Sequence, residues 1–166
     1  MVNVALNKQA KLSEHFTLGE LCKTSVNSLD GNIPGLEEIE NLKRLCPWLE
    51  ELRKRYNELY VLVEDGRCRE EGAIIITSGY RSPEVNRCVG GACSSNHLTG
   101  CAVDIRCVGV EQSIRYAAIL LDTADEWKQD YDELLIERNR KGRYWVHFAV
   151  RPPEEGNRRK TMFLIA

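Results

Sequence analysis

Residues 77–106 read TSGYRSPEVNRCVGGACSSNHLTGCAVDIR, and the reading of this stretch decides the fold. Gly79, Arg81, Pro83, Asn86, Gly90, Gly91, His97, Gly100 and Asp104 all fall within it. That density of turn formers, a ring nitrogen and charges does not suit a hydrophobic core. AIIITS at 73–78 leads into it as a short β-branched run, read as a buried strand. Ser82 and Pro83 then supply the cap and first position of a short helix. Val89-Gly90-Gly91 ends that helix, and a loop through Ser94, Ser95 and Asn96 delivers His97. CAVDIRC at 101–107 reads as a second strand carrying Asp104.

His97 and Asp104 stand either side of the bend at Gly100. A third candidate ligand, His147, lies far downstream in YWVHFAV at 144–150. Two histidines and one aspartate form a three-ligand zinc set with an open fourth position, the form a catalytic zinc takes. The competing reading is two structural histidines and a salt-bridged aspartate. Seven cysteines (22, 46, 68, 88, 93, 101 and 107) are an odd number, and no pair has the two-residue gap of a zinc knuckle. They are expected to be reduced and to act as small buried filler. Cys88 and Cys93 are near enough to bridge, but a disulfide there is not favoured. Cys101 and Cys107, each three residues from Asp104, fall on the opposite strand face from it and are not taken as ligands. His15, beside Phe16, reads as a packed or surface residue.

The rest of the chain supplies scaffold. LSEHFTLGELC at 12–22 reads as an extended piece and a short helix, capped by Ser13 or by Thr17 in a capping box with Glu20. Residues 23–34 are turn-rich. Leucines and tyrosines recur at three- and four-residue steps from Leu36 to Leu62, a long helix with a core-facing stripe. Pro47 is expected to split or kink it near Cys46. Residues 111–127 form an amphipathic helix with Ile114, Ala117, Ala118, Leu121 and Ala124 on one face. YDELLIE at 131–137 and 144–150 are strands joined by a turn at Lys141-Gly142. On the second of these, Trp145, His147 and Ala149 share a face. The apolar end of the tail packs as an edge strand. The expected architecture is α+β: one domain over residues 1–166, helices first, then a small, mostly antiparallel sheet carrying the site.

Charged residues make up 29% of the 166 and hydrophobic ones 43%, with a formal net charge of −2. That balance gives no basic footprint for nucleic acid. The basic runs 138–143 and 158–160 are read as solvated loops. No long apolar run and no leader-like start is present, so no membrane partner is expected, and synthesis in the cytoplasm is.

SGYRSPEVNRCVGG, SSNHLTGCAVDI and WVHFAV resemble the motifs of the zinc D-Ala-D-Ala carboxypeptidases. That family shares a superfamily with lysostaphin-type endopeptidases and the hedgehog signalling domain. The pattern S-G-[YF]-R-[ST] … S-x-H-x-x-G-x-A-x-D … W-x-H is met at Ser78 to Ser82, at Ser95, His97, Gly100, Ala102 and Asp104, and at Trp145 and His147. LSEHFTLGEL resembles the opening of a bacterial and phage branch. The resemblance covers about residues 12 to 150 and implies a hedgehog/DD-peptidase-like fold with His97, Asp104 and His147 as zinc ligands. It implies Arg81 as a catalytic and substrate-binding arginine beside the substrate, with Ser95 and Tyr80 as further substrate contacts. A guanidinium there would pair with a terminal carboxylate or an oxyanion. The bland reading of Arg81 is a structural salt bridge to Asp104 or Glu84.

The resemblance breaks at the general base. Many relatives have Asp or Glu three residues before the last ligand, and here that position is Tyr144. Glu137, at the end of YDELLIE, is the nearest candidate, its bland reading being a surface glutamate at a strand end. The function expected is a monomeric zinc metallopeptidase acting on peptidoglycan stem peptides, as carboxypeptidase or endopeptidase. A phage-type enzyme released to the wall on lysis fits this expectation. The rival is a non-catalytic zinc-binding module that uses the same cleft to hold a peptide or partner.

Overall fold

The computed structural model describes residues 7–61 and 72–165. In chain order, helix α1 is Leu18–Leu21 and α2 is Leu36–Tyr56, which runs on into a π-helical turn, Asn57–Val61. Strand β1 (Ile76–Ser78), helix α3 (Pro83–Cys88), strand β2 (Ala102–Cys107) and helix α4 (Gly109–Trp127) follow. Strands β3 (Glu133–Arg138), β4 (Tyr144–Ala149) and β5 (Lys160–Ile165) complete it, with a 3₁₀ turn at Pro153–Glu155. The strands form one sheet in the order β1-β2-β4-β3-β5. Three neighbouring pairs are antiparallel, and only β3 and β5 run parallel. The result is a mixed α+β fold. No helix among the described residues is long and apolar enough to cross a membrane.

Register decides which face does what. Asp104 pairs with His147 and Arg106 with Trp145 across β2 and β4; Leu135 pairs with His147 and Glu137 with Trp145 across β3 and β4. Because side chains alternate, Val103, Ile105, Leu134, Val146 and Phe148 all point the other way, into a core with Trp48, Leu49 and Leu120 from the helices. Trp48 packs its ring 5.1 Å from Trp127 and 5.3 Å from Phe148. One face of the sheet is therefore core, and the other is free to carry polar chemistry.

The N-terminal segment closes over the start of that polar face. Thr17 caps α1 in the expected capping box with Glu20, and Ser82 and Pro83 open α3 as expected. Asn32 donates to the carbonyls of Cys22 (2.9 Å) and Tyr80 (3.1 Å) and accepts from Ser82 N (2.7 Å). Asn41 of α2 donates to Thr99 O (2.8 Å), beside Gly100. Gly100 has φ +72°, and a Cβ there would come 2.5 Å from Glu38 O, so only glycine allows α2 this close.

Several expectations need correction. Helix α2 is continuous through Pro47. Pro47 is exposed, while Leu42, Leu45, Trp48, Leu49 and Leu52 bury the opposite side on both sides of it. The core therefore holds the helix together across the hydrogen bond that Pro47 removes. Leu36 and Leu59, counted in the stripe, are exposed, and Leu62 lies outside the described residues. The buried face of α4 is rotated from the expected one: Ser113, Tyr116, Ala117, Leu120, Thr123 and Ala124 are inside, whereas Ile114 is exposed. Strand β1 is only three residues long. Of the six described cysteines, all free, Cys22, Cys46, Cys101 and Cys107 are buried filler, but Cys88 and Cys93 are exposed; Cys68 lies outside the described residues. The run 158–160 is not solvated loop. Its three residues are ion-paired with Asp132, Glu133, Asp125 and Asp130.

Gly79 sits where β1 leaves the sheet and crosses the N-terminal segment. A Cβ added there would lie 2.0 Å from Leu21 O, which itself accepts from Tyr80 N. Gly79→Ala is expected to destabilise the fold by about 2 kcal/mol, lowering Tm by about 4–8 °C for a chain of this size. Thermal unfolding followed by circular dichroism checks this; an unchanged Tm would mean that the two segments do not pack this closely.

Candidate metal centre

Asp104 comes from the middle of β2 and His147 from the middle of β4, directly across the ladder from it. His97 arrives from the loop after α3, because Arg81 N donates to His97 O (3.0 Å) and Cys101 N to Asn96 O (2.9 Å). The three side chains are buried, and their donor atoms all lie within 4.8 Å of one another. His97 Nε2 is 3.3 Å and His147 Nδ1 3.0 Å from the same atom, Asp104 Oδ1. Both rings thus converge on one carboxylate oxygen, with centroids 5.0 Å apart.

The ring nitrogens on the far side test whether these residues fit a metal. His97 Nδ1 is 2.7 Å from Gly79 O, a pure acceptor, so Nδ1 carries the proton and Nε2 presents its lone pair to Asp104. Burial pushes His97 down, toward the neutral form. A neutral nitrogen lone pair facing a carboxylate oxygen at 3.3 Å is unfavourable unless a cation lies between them. The donor set of two imidazoles and one carboxylate is the one zinc accepts in open sites. Burial alone would raise the Asp104 carboxyl, but the two histidine rings beside it hold it below the usual range. Burial would lower His147, yet the Asp104 and Glu133 carboxylates beside it raise it to about 9.

Glu133 is the site carboxylate that the sequence reading passed over. Its Oε2 lies 3.4 Å from His147 Nε2, a buried nitrogen with no hydrogen bond of normal length. Asn96 Nδ2 donates to the same Glu133 oxygen (3.1 Å), while Lys160 Nζ (3.1 Å) and Arg158 Nη2 (3.1 Å) hold Oε1. With Nδ1 turned to Asp104, the Nε2–H of His147 is aimed at Glu133. The signal was present in the sequence: on a strand, residues four apart share a face, so Glu133 faces the same way as Glu137.

The remaining candidates divide. Arg81 Nη2 lies 2.5 Å from Asp104 Oδ2 and its Nε donates to Ser78 Oγ (2.7 Å), so it contacts the centre through the ligand carboxylate. Glu84, the other partner considered for Arg81, instead accepts from Leu29 N (3.0 Å) and Asp30 N (3.3 Å). Ser95 Oγ accepts from His97 N (3.3 Å) and shapes the ligand loop. Tyr80 is buried in the hydrophobic cluster, 6% exposed. Glu137 shares the polar face with His147, one ladder row away, and stands across from Trp145. Burial raises its carboxyl above the ordinary glutamate range, against the pull of His147. His15 pairs with Glu50 (2.7 Å) at the surface, remote from the centre in sequence. A cavity of about 760 Å³ lies by Trp48, Trp127 and Arg151 and contains none of these residues.

Behind the centre sits a second buried charge. Asp132 has no exposure and accepts from Asn96 (2.7 Å) and from Arg158 Nε and Nη2 (both 2.7 Å), with Arg151 Nε 3.1 Å away. Burial raises its carboxyl, but the Arg158 and Asn96 bonds bring it below the usual range.

Among known proteins, the sequence profile of the family described as peptidase M15 matches residues 14–125. That span contains His97 and Asp104 and ends before Glu133, Glu137 and His147. No curated protein matches the chain.

Two measurements test this arrangement. Glu133→Gln is expected to weaken zinc binding by about 10–100-fold, as for other partners of metal-bound histidines, in competition with a chromophoric chelator; undiminished affinity would remove Glu133 from the centre. Asp132→Asn should cost about 3 kcal/mol near neutral pH. Because folding lowers the Asp132 carboxyl, that contribution is present above the ordinary aspartate value of about 3.9 and is lost as pH falls from there through the lower folded value. Denaturation midpoints of the two proteins should therefore converge in acid; a constant gap would contradict the assignment.

Proposed function

Because the chain belongs to the peptidase M15 family, we propose that it is a zinc metallopeptidase cleaving peptidoglycan stem peptides beside a D-amino acid, as a carboxypeptidase or endopeptidase of the phage-type or bacterial branch. The observation that carries the reading is the convergence of His97 Nε2 and His147 Nδ1 on Asp104 Oδ1, because His147 lies outside the family match. On this reading the protein works as a monomeric, single-domain enzyme on the cell wall, with neither nucleic acid nor membrane as partner.

His97, Asp104 and His147 would hold the zinc, which supplies Lewis acidity and makes water a stronger acid at its open position. Glu137 takes the proton from the attacking water and returns it to the leaving amine. Its partial burial favours that exchange, since a raised carboxyl holds a proton more readily than an exposed glutamate does. Arg81 fixes the orientation of Asp104, and its remaining N–H groups face a substrate carboxylate or the developing oxyanion. Ser95 sets the height of His97 through the loop backbone and bonds substrate on the same side.

The test is turnover of purified muropeptides by the zinc-loaded protein beside its Glu137→Gln variant. Released D-alanine or split stem peptides are expected from the parent, and a loss of at least about 100-fold from the variant, with one zinc per chain in both. Turnover surviving in the variant would move the base elsewhere. Zinc without cleavage on any wall type would leave the non-catalytic peptide-binding module as the function.

A further inference from the structure

Asn96, the residue before His97, is 6% exposed. Its carboxamide meets three charged groups. Nδ2 donates to Asp132 Oδ2 (2.7 Å) and to Glu133 Oε2 (3.1 Å). Oδ1 accepts from Arg151 Nε (2.9 Å). The two carboxylates only accept and the guanidinium only donates, so the amide has one orientation here. Two N–H bonds serve two acids and one oxygen serves one guanidinium, with no charge added to the cluster. The main chain of Asn96 is pinned as well, since its carbonyl accepts from Cys101 N (2.9 Å).

The two oxygens of Glu133 are held unequally. Oε1 meets Lys160 Nζ and Arg158 Nη2, both at 3.1 Å. Those two cations are 41% and 49% exposed, so water competes for them and their grip is weak. Oε2, the oxygen 3.4 Å from His147 Nε2, has Asn96 as its buried donor. The last torsion of a glutamate is broad, so a carboxylate held only at Oε1 turns about it. A second donor at Oε2 stops that rotation and aims the oxygen at the imidazole. Fixing the Nε2–H side of His147 fixes its ring, and with it the Nδ1 that faces Asp104 Oδ1 at 3.0 Å.

We infer that Asn96 is a positioning residue of the metal centre, acting through Glu133 to hold the His147 ring with Nδ1 toward Asp104. The inference rests on the reading of His97, Asp104 and His147 as a metal site and is independent of the bond the protein cleaves. Alanine at position 96 leaves Glu133 Oε2 without its buried donor, and the carboxylate swings to the exposed cations. The expected loss of zinc affinity is about 10-fold, the low end of the range for groups that support metal-bound histidines. Because the effect runs through Glu133, it vanishes when Glu133 is already absent.

A double-mutant cycle tests this. Zinc affinity is measured by chelator competition on the parent, Asn96→Ala, Glu133→Ala and the double variant. Leu49→Ala, at a fully buried core leucine, controls for lost stability. Asn96→Ala should bind zinc about 10-fold more weakly than the parent, Leu49→Ala as tightly as the parent, and the double variant no more weakly than Glu133→Ala. In the same samples, isotope-edited NMR spectra of the imidazoles report the Nε2–H of His147. That proton should exchange slowly in the parent and lose its protection in Asn96→Ala. Additive losses in the double variant, or parent-like affinity in Asn96→Ala, overturn the inference. So does a rapidly exchanging His147 Nε2–H in the parent, a reading that needs no variant to fold. Failure of the parent to take up zinc would instead overturn the metal reading, and the His147 proton of the metal-free protein then decides the clamp on its own.

Discussion

A single carboxylate, Asp104, holds this molecule's polar face together. One of its oxygens is shared by two histidines and the other by Arg81. Burying such a charge is tolerable only when every lone pair is met by a positive or hydrogen-bonding group. Each of those groups comes from a different segment: Arg81 from the turn after β1, His97 from the loop after α3, His147 from the opposite strand. The requirement therefore fixes the turn, the loop and the ladder register together. Gly79 and Gly100 follow from it, because they let α1 and α2 press the His97 loop against the sheet.

The second buried carboxylate, Asp132, extends this logic to the tail. Asn96 bridges the two regions, bonding both Asp132 and Glu133 while preceding His97 in sequence. Arg158 reaches both acids from the turn before β5. Ordering of the candidate metal centre is thus coupled to docking of the C-terminal strand, which contributes no residue to it.

Much of this was legible in the sequence, for specific reasons. The grouping of His97, Asp104 and His147 could be read because each lies in a motif that resembles the family pattern; strand alternation and the bend at Gly100 alone left the reading of two structural histidines open. The caps at Thr17 and Ser82 are local. What failed needed tertiary information. Proline statistics argued for a break at Pro47, but burial of five apolar side chains on the opposite face outweighs one lost hydrogen bond. The buried face of α4 was misplaced because Ile114 and Ala118 looked like core, while Tyr116 and Ser113 occupy it. The basic run 158–160 looked like a solvated loop because its acidic partners lie some thirty residues away on the chain. Glu133 was passed over because its significance depends on an unbonded histidine nitrogen in another strand.

The hairpin between β3 and β4 shows where this architecture can vary. Moving β2 by one residue against β4 would put Val103 or Ile105 in place of Asp104 and drive a carboxylate into the core, so insertions within the strands are forbidden on two counts at once. Asn139 and Arg143 lie outside that constraint, in a turn held by its own short bonds. A lineage could lengthen or recompose this loop and reshape the groove that it lines with Asp104 and Trp145, while the convergence of His97, Asp104 and His147 one row below is inherited intact. The candidate metal centre and the lining of the groove thus rest on different parts of the fold, one on an unalterable register and the other on a replaceable turn.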